Sequence, residues 1–232
     1  MTVAIVTGAS RGLGLALALG LAENGYRLVI DARDATTLDR AQAEISQRAE
    51  VIAIVGDITD PAHRLALVQA SDTLGGLDLL VNNAGILGPS PLPSLARLAL
   101  VDYRRVLEVG VVAPLALSQL ALPRLRARHG AVVNVTSDAA VEAYEGWGGY
   151  GSAKAALEQL SHVLAAEERD VRVWWVDPGD LRTRMHQEAF PGEDISDRPL
   201  PETVVPGFRR LLAERPPSGR FRAADLLAPV SA

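Results

Sequence analysis

Six short runs of apolar, largely β-branched residues recur along the chain, at 3–6, 28–30, 51–55, 77–81, 131–135 and 171–176. They are apolar at consecutive rather than alternate positions, as expected of strands buried on both faces of a parallel sheet. The intervals 13–23, 37–48, 61–74, 95–122 and 150–168 carry helix-type periodicity. Repeated strand–helix units of this kind predict a doubly wound parallel sheet between two helical layers, a three-layer α/β/α arrangement. Asp60 before Pro61 reads as an N-cap followed by a first-turn proline, and Gly25 closes the first helix. No linker, low-complexity tract or short repeat divides the 232 residues, so one domain is expected.

Composition narrows the function. A net charge of −5 and a pI near 5.4 argue against a nucleic-acid binder, which needs clustered Lys and Arg. The absence of cysteine excludes disulfides, thiolate metal sites and cysteine nucleophiles, and fits a cytoplasmic setting. His63, His129, His162 and His186 share no ligand spacing, so no metal site is expected. The apolar run 12–22 superficially resembles a signal-peptide core, but the strand at 3–6 and the glycines beside it explain it better. Pro114, Ser118 and Gln119 interrupt the longest later apolar stretch, and no membrane span is expected.

The first strand runs into Thr7-Gly8-Ala9-Ser10-Arg11-Gly12-Leu13-Gly14. Glycines between a strand and a helix permit a tight turn and close approach of backbone to a pyrophosphate, which the free N–H groups of the helix N-terminus bind. The fold expected is therefore a Rossmann-type, dinucleotide-binding one. An acid near the end of the second strand would bond the adenosine ribose 2′-hydroxyl. Ala32 holds that position, Asp31 lies one residue early and points to the other face by strand alternation, and Arg33 follows. With Arg11 in the loop, two guanidinium groups can converge on a 2′-phosphate, which favours NADP(H) over NAD(H). In the competing reading both arginines are solvated and Asp31 binds the ribose.

Tyr150 and Lys154 are four residues apart, with Ser137 thirteen positions upstream of the tyrosine. On a helix the two share a face. At about 5 Å and an effective dielectric near 20, the cation would stabilise a phenolate by roughly 3 kcal/mol, about two pKa units. That would bring the phenol toward the range of a proton donor and acceptor at neutral pH. The residues around Ser137 lack the G-x-S-x-G pattern of a nucleophile elbow.

Taken together, the loop from Thr7 to Gly14, Asp57, Asn82-Asn83-Ala84-Gly85, Ser137, Tyr150-x-x-x-Lys154 and Pro178-Gly179 with Thr183 occur in an order that resembles the short-chain dehydrogenase/reductase family, in its single-domain branch. The resemblance covers about residues 1 to 222 and implies roles for these positions. Gly8, Ser10, Arg11, Gly12, Leu13 and Gly14 would hold the cofactor phosphates, with Arg33 beside them. Asp57 and Ile58 would contact the adenine, Asn83, Ala84 and Gly85 the adenosine ribose, and Pro178, Gly179 and Thr183 the nicotinamide end. Ser137 would hydrogen-bond the substrate oxygen, Tyr150 would exchange a proton with it, and Lys154 would bind the nicotinamide ribose.

Gly110 departs from the family pattern, standing where an asparagine usually supports a water-mediated relay to the lysine. A glycine inside a helix costs about 1 kcal/mol relative to alanine. The function expected is hydride transfer between NADP(H) and a carbonyl or secondary alcohol of a small or medium organic molecule. A nucleotide-binding scaffold or redox sensor with weak turnover is the alternative that Gly110 motivates. Residues 190–206, rich in Pro, Asp and Glu, follow the last long strand, and a substrate lid is expected around 184–206 before a helix at 204–214. Glu142, Tyr144, Glu145 and Trp147 are candidates for the substrate mouth. The long apolar helices 95–122 and 150–168 would, by the same resemblance, pack between subunits of a homodimer or homotetramer.

Overall fold

All six apolar runs form strands, and a seventh strand joins them. The computed structural model describes residues 2–227. β1 (Val3–Val6), β2 (Arg27–Ala32), β3 (Val51–Val55), β4 (Leu79–Asn82), β5 (Ala131–Val135), β6 (Arg172–Asp177) and β7 (Gly219–Arg222) make one parallel sheet of order β3-β2-β1-β4-β5-β6-β7. β7 has no apolar run, because Gly-Arg-Phe-Arg is an edge strand with solvent on one side. Its parallel register places Arg220 beside Trp175 and Arg222 beside Asp177.

The helices are α1 (Gly12–Glu23), α2 (Ala35–Ile45), α3 (Pro61–Thr73), α4 (Leu100–Leu107), α5 (Ala113–Ala127), α6 (Gly148–Glu167), α7 (Arg184–Ala189), α8 (Val205–Glu214) and α9 (Ala223–Leu227). Successive strand residues feed opposite faces of the sheet. Ala4 and Val6 join Leu17, Leu21, Leu38 and Phe208 in the core under α1, α2 and α8, while Val3 and Ile5 join Leu67, Leu117 and Leu125 in the core under α3 and α5. The α/β/α sandwich is a single domain of the Rossmann type. The order reverses between β1 and β4, so the crevice outside their carboxyl ends is where the fold binds ligands. The loops that begin at Thr7 and Asn83 flank that crevice.

The expected helix 95–122 is broken. Residues 86–99 are irregular, α4 starts at Leu100, and a π-helical turn, Glu108–Val112, links it to α5, which runs past Pro123. Leu95 and Leu98 instead cover the start of α6, where a Cβ on Gly148 or Gly149 would lie 2.4 or 3.0 Å from their methyl carbons. The stretch Leu100–Ala127 is long and apolar enough to cross a membrane by length and composition, but half of its most apolar window is buried inside the fold. Val109, Ala113, Leu117, Ala121 and Leu125 face the core. Asp60 caps α3 by accepting the Ala62 N–H at 2.9 Å, and Gly25 follows α1 with φ 79°.

Candidate active site

The glycine loop is held from below. Gly8 and Gly12 adopt φ values of 66° and 57°, which side chains resist, and a Cβ on Gly14 would stand 2.4 Å from the Gly8 carbonyl oxygen. The Asn83 amide donates to the Thr7 carbonyl at 2.8 Å, and the Thr7 hydroxyl accepts the N–H groups of Asn83 and Ala84 at 3.0 Å each. A Cβ added to Gly85 would make ordinary contacts, at 3.8 Å, with the Asn83 carbonyl oxygen and the Met185 methyl group. Arg11, at the N-cap of α1, makes no side-chain cap, and the first turn carries no acidic residue, so the amide groups face the crevice unblocked. Unpaired N–H groups beneath a glycine cradle fit the pyrophosphate of a dinucleotide. Thr183 reaches the same loop, its methyl group 3.5 Å from a Cβ placed on Gly12.

Asp31 is bound beneath the loop. Its Oδ1 accepts the Gly8 N–H at 2.8 Å, and its Oδ2 lies 2.9 Å from His63 Nε2, both side chains being at most 5% exposed. Strand alternation placed Asp31 on this face, whereas the partnership with His63, 32 residues away, had no signal in the sequence. His63 in turn lies flat on Gly56, where a Cβ would meet its Nδ1 at 2.2 Å. The side chains of Arg33 and Arg11 are exposed and form no ion pair or hydrogen bond among the described residues. Asp34 caps α2 by accepting the Thr37 N–H at 2.8 Å.

At the end of β3, Asp57 accepts the Thr59 N–H and hydroxyl at 2.9 and 2.8 Å and the Arg105 guanidinium at 2.5 Å. Burial pushes this carboxyl up, but the Thr59 and Arg105 hydrogen bonds outweigh it and hold the group at about 2. Ile58 is buried beside it. Asn82 and Asn134 are register partners on β4 and β5; the Asn82 amide donates to Asn134 Oδ1 at 2.7 Å, and Asn134 donates to Ser161 Oγ at 2.7 Å. This buried polar bridge ties the two central strands to α6 below the site.

Ser137, Tyr150 and Lys154 converge. Ser137 follows β5, donates to Asp138 Oδ1 at 2.9 Å and accepts the Ala139 N–H at 3.2 Å. α6 begins at Gly148 and carries Tyr150 and Lys154 on one face, with Lys154 Nζ 5.4 Å from the tyrosine ring centre. Lys154 is 6% exposed, and its ammonium donates to the Val135 carbonyl at 2.6 Å. The expectation that Lys154 brings the phenol down is not met. Burial, with Asp177 and Asp138 adding to it, raises Tyr150 above its ordinary value, although the neighbouring Ser137 side chain acts to lower it. Burial likewise lowers Lys154 to about 8, against the charge of Glu158. Desolvation opposes both ions, and Lys154 spends its hydrogen bond on a carbonyl rather than on the phenol.

Trp147 packs edge-on against Tyr150 with ring centres 5.7 Å apart, Phe190 lies 6.0 Å from Trp147, and His186 lies 4.9 Å from Phe190. The Ser90 hydroxyl donates to the Glu188 carbonyl at 2.6 Å, joining α7 to the irregular segment after β4. Tyr144 donates to Asp138 at 2.9 Å, whereas Glu142 and Glu145 are exposed. Pro178 and Gly179 follow β6, and the Gly179 N–H is held by Asp177 at 2.9 Å. Among the described residues, no three His, Asp or Glu side chains are grouped to hold a metal ion.

A glycine cradle at the switch point and a Ser-Tyr-Lys set beside it define a dinucleotide-dependent oxidoreductase fold. Residues 2–194 match the model of the short chain dehydrogenase family, and the chain belongs to that family. It is 36% identical over 183 residues to serine 3-dehydrogenase of Agrobacterium fabrum, covering 77% of this chain and 72% of that protein. It is 32% identical over 225 residues to the 3-oxoacyl-(acyl-carrier-protein) reductase of a Synechocystis strain, covering 92% and 90% of the two. Its structure is similar to that of an alcohol dehydrogenase from the archaeon Thermococcus sibiricus complexed with 5-hydroxy-NADP, with a TM-score of 0.86 at 27% identity over 96% and 95% of the chains.

Proposed function

We propose that the protein is an NADP(H)-dependent carbonyl reductase or alcohol dehydrogenase for a small or medium organic substrate. The observation that carries this reading is the convergence of Ser137, Tyr150 and Lys154 beside the crevice that the glycine loop borders. The nicotinamide, when bound, supplies or accepts the hydride. Gly8, Ser10, Arg11, Gly12, Leu13 and Gly14 hold the phosphates, Asp57 and Ile58 the adenine, Asn83, Ala84 and Gly85 the adenosine ribose, and Pro178, Gly179 and Thr183 the nicotinamide end. Ser137 hydrogen-bonds the substrate oxygen. Tyr150 gives that oxygen a proton in reduction and removes one in oxidation. Lys154 binds the nicotinamide ribose hydroxyls and, as a cation, favours the tyrosinate that reduction leaves behind. Residues 184–206 act as a substrate lid, with Met185, His186 and Phe190 as its apolar face and Trp147 of the substrate mouth packed against Phe190. Oxidation of NADPH against a panel of ketones and quinones tests the reading; a protein that turns over none of them is a scaffold or sensor instead.

The preference for NADP(H) is supported by where Asp31 sits, since His63 and the Gly8 N–H engage its carboxylate below the loop. Arg11 and Arg33 remain to bind a 2′-phosphate. A charge-assisted hydrogen bond contributes about 1.5–3 kcal/mol, so Arg33→Ala is expected to weaken NADPH roughly 10–100-fold and NADH little. Fluorescence titration of both nucleotides checks this, and tighter binding of NADH by the unaltered protein would refute it.

Gly110 lies in the π-helical turn, so the local bend forms without an asparagine side chain. A Cβ there would meet only the Ala153 methyl at 3.4 Å. If the backbone alone serves proton resupply, Gly110→Ala is expected to keep kcat within about twofold while adding up to about 1 kcal/mol of helix stability. Thermal melting and steady-state rates measure the two effects. A cytoplasmic location and a homodimer or homotetramer complete the proposal; exposed Leu100, Val101 and Val112 on the α4–α5 surface support self-association.

A further inference from the structure

One guanidinium ties together α6, which carries Tyr150 and Lys154, the segment of Ser137 after β5, and the end of β6. Arg220 of β7 donates through Nε to Glu158 Oε1 at 2.9 Å. Its Nη2 lies 3.6 Å from Asp177 Oδ2 and donates to the Ser137 carbonyl at 3.4 Å. Glu158 is one helical turn beyond Lys154 on α6 and also accepts the Thr136 hydroxyl at 2.8 Å. Asp177 ends β6 and holds the Gly179 N–H at 2.9 Å. The side chains of Arg220, Glu158 and Asp177 are only 26%, 13% and 5% exposed, so their charges are weakly screened.

We propose that Arg220 is a positioning residue for proton transfer: it ion-pairs Glu158 and Asp177 beneath Lys154 and Tyr150 and keeps their negative charge from acting on the reacting pair. The groups facing that pair are few. Tyr150 is faced by Ser137 and Asp138 after β5 and by Asp177 at the end of β6; Lys154 is faced by Glu158 on its own helix. Asp138 is occupied by the Tyr144 hydroxyl and the Ala139 N–H. His162, one turn past Glu158, packs on Trp175 at 5.8 Å. Asp177 favours the neutral phenol and Glu158 the ammonium, so both carboxylates push proton release to higher pH. Arg220 opposes both at once.

The proposal rests on Tyr150 being the proton donor, and the test separates the two. Reduction of 9,10-phenanthrenequinone by NADPH is followed from pH 6 to 10 in the unaltered protein, Tyr150→Phe, Arg220→Gln, Arg220→Lys and Glu158→Gln, with NADPH affinity and thermal midpoint measured for each. Arg220→Gln is expected to move the alkaline limb of kcat/KM upward by on the order of one pH unit, with NADPH affinity within about threefold. Arg220→Lys, which keeps the charge, is expected to move it less. Glu158→Gln is expected to move it downward, and it carries the test if Arg220→Gln does not fold. An alkaline limb that stays in place in these variants while only the thermal midpoint falls would make Arg220 a structural staple and overturn the proposal. No turnover in the unaltered protein, or full turnover in Tyr150→Phe, would instead refute the reading of Tyr150.

Discussion

Replacing Tyr150 by phenylalanine is expected to lower kcat by about 10²–10⁴, the range that a positioned general acid contributes. NADPH affinity should stay within about threefold, because the phosphates and adenosine are held elsewhere. The ring also packs on Trp147 with centres 5.7 Å apart, and phenylalanine preserves that contact. Stopped-flow reduction with NADPH and a fluorescence titration distinguish lost chemistry from lost binding; undiminished turnover would remove Tyr150 from the mechanism. The pH dependence of the two directions of reaction follows the same electrostatics. Tyr150 is raised by burial and Lys154 is lowered to about 8, so at neutral pH the free protein holds a protonated phenol beside an ammonium. That is the state needed to give a proton to a carbonyl oxygen. Oxidation, which needs the tyrosinate, is expected to gain rate as pH rises while reduction loses it.

His63→Leu is expected to produce the largest loss of stability. It leaves the Asp31 carboxylate buried with the Gly8 N–H as its remaining partner. Removing one partner of a buried hydrogen bond costs about 1–3 kcal/mol, and more where the group left behind is charged, because that group is neither solvated nor paired. For a chain of this size the upper figure corresponds to a fall in Tm of roughly 10 °C. Asp31→Ala combined with His63→Leu removes both partners and is expected to cost less than His63→Leu alone. Thermal or urea unfolding of the three variants measures the difference, and equal losses would show that the pair contributes only packing. NADPH affinity should fall with His63→Leu, since Asp31 anchors the first glycine of the phosphate loop.

Most of the sheet was legible because its strands are apolar on both faces, and that pattern is local. The caps at Asp60 and Gly25, the glycine loop and the Tyr150–Lys154 spacing are local in the same sense. β7 escaped because an edge strand of four residues needs no apolar run. The helix read over 95–122 failed because its first residues, Leu95 and Leu98, are apolar for contact with Gly148 and Gly149 rather than for a helix face of their own. The charge argument for Tyr150 failed for a different reason. Spacing along a helix gives the distance between two groups, but their solvation depends on everything packed around them.

The sequence by itself determined the parallel sheet, the dinucleotide loop and the helix face that presents Tyr150 and Lys154, since each follows from residues within a few positions of one another. Only the tertiary structure decided which charges surround them. Asp31 meets His63 across 32 residues, Asp57 meets Arg105 across 48, and Glu158 meets Arg220 across 62. These partners lie on different strands and helices, and a polar group shows its partner only when the fold has removed both from water.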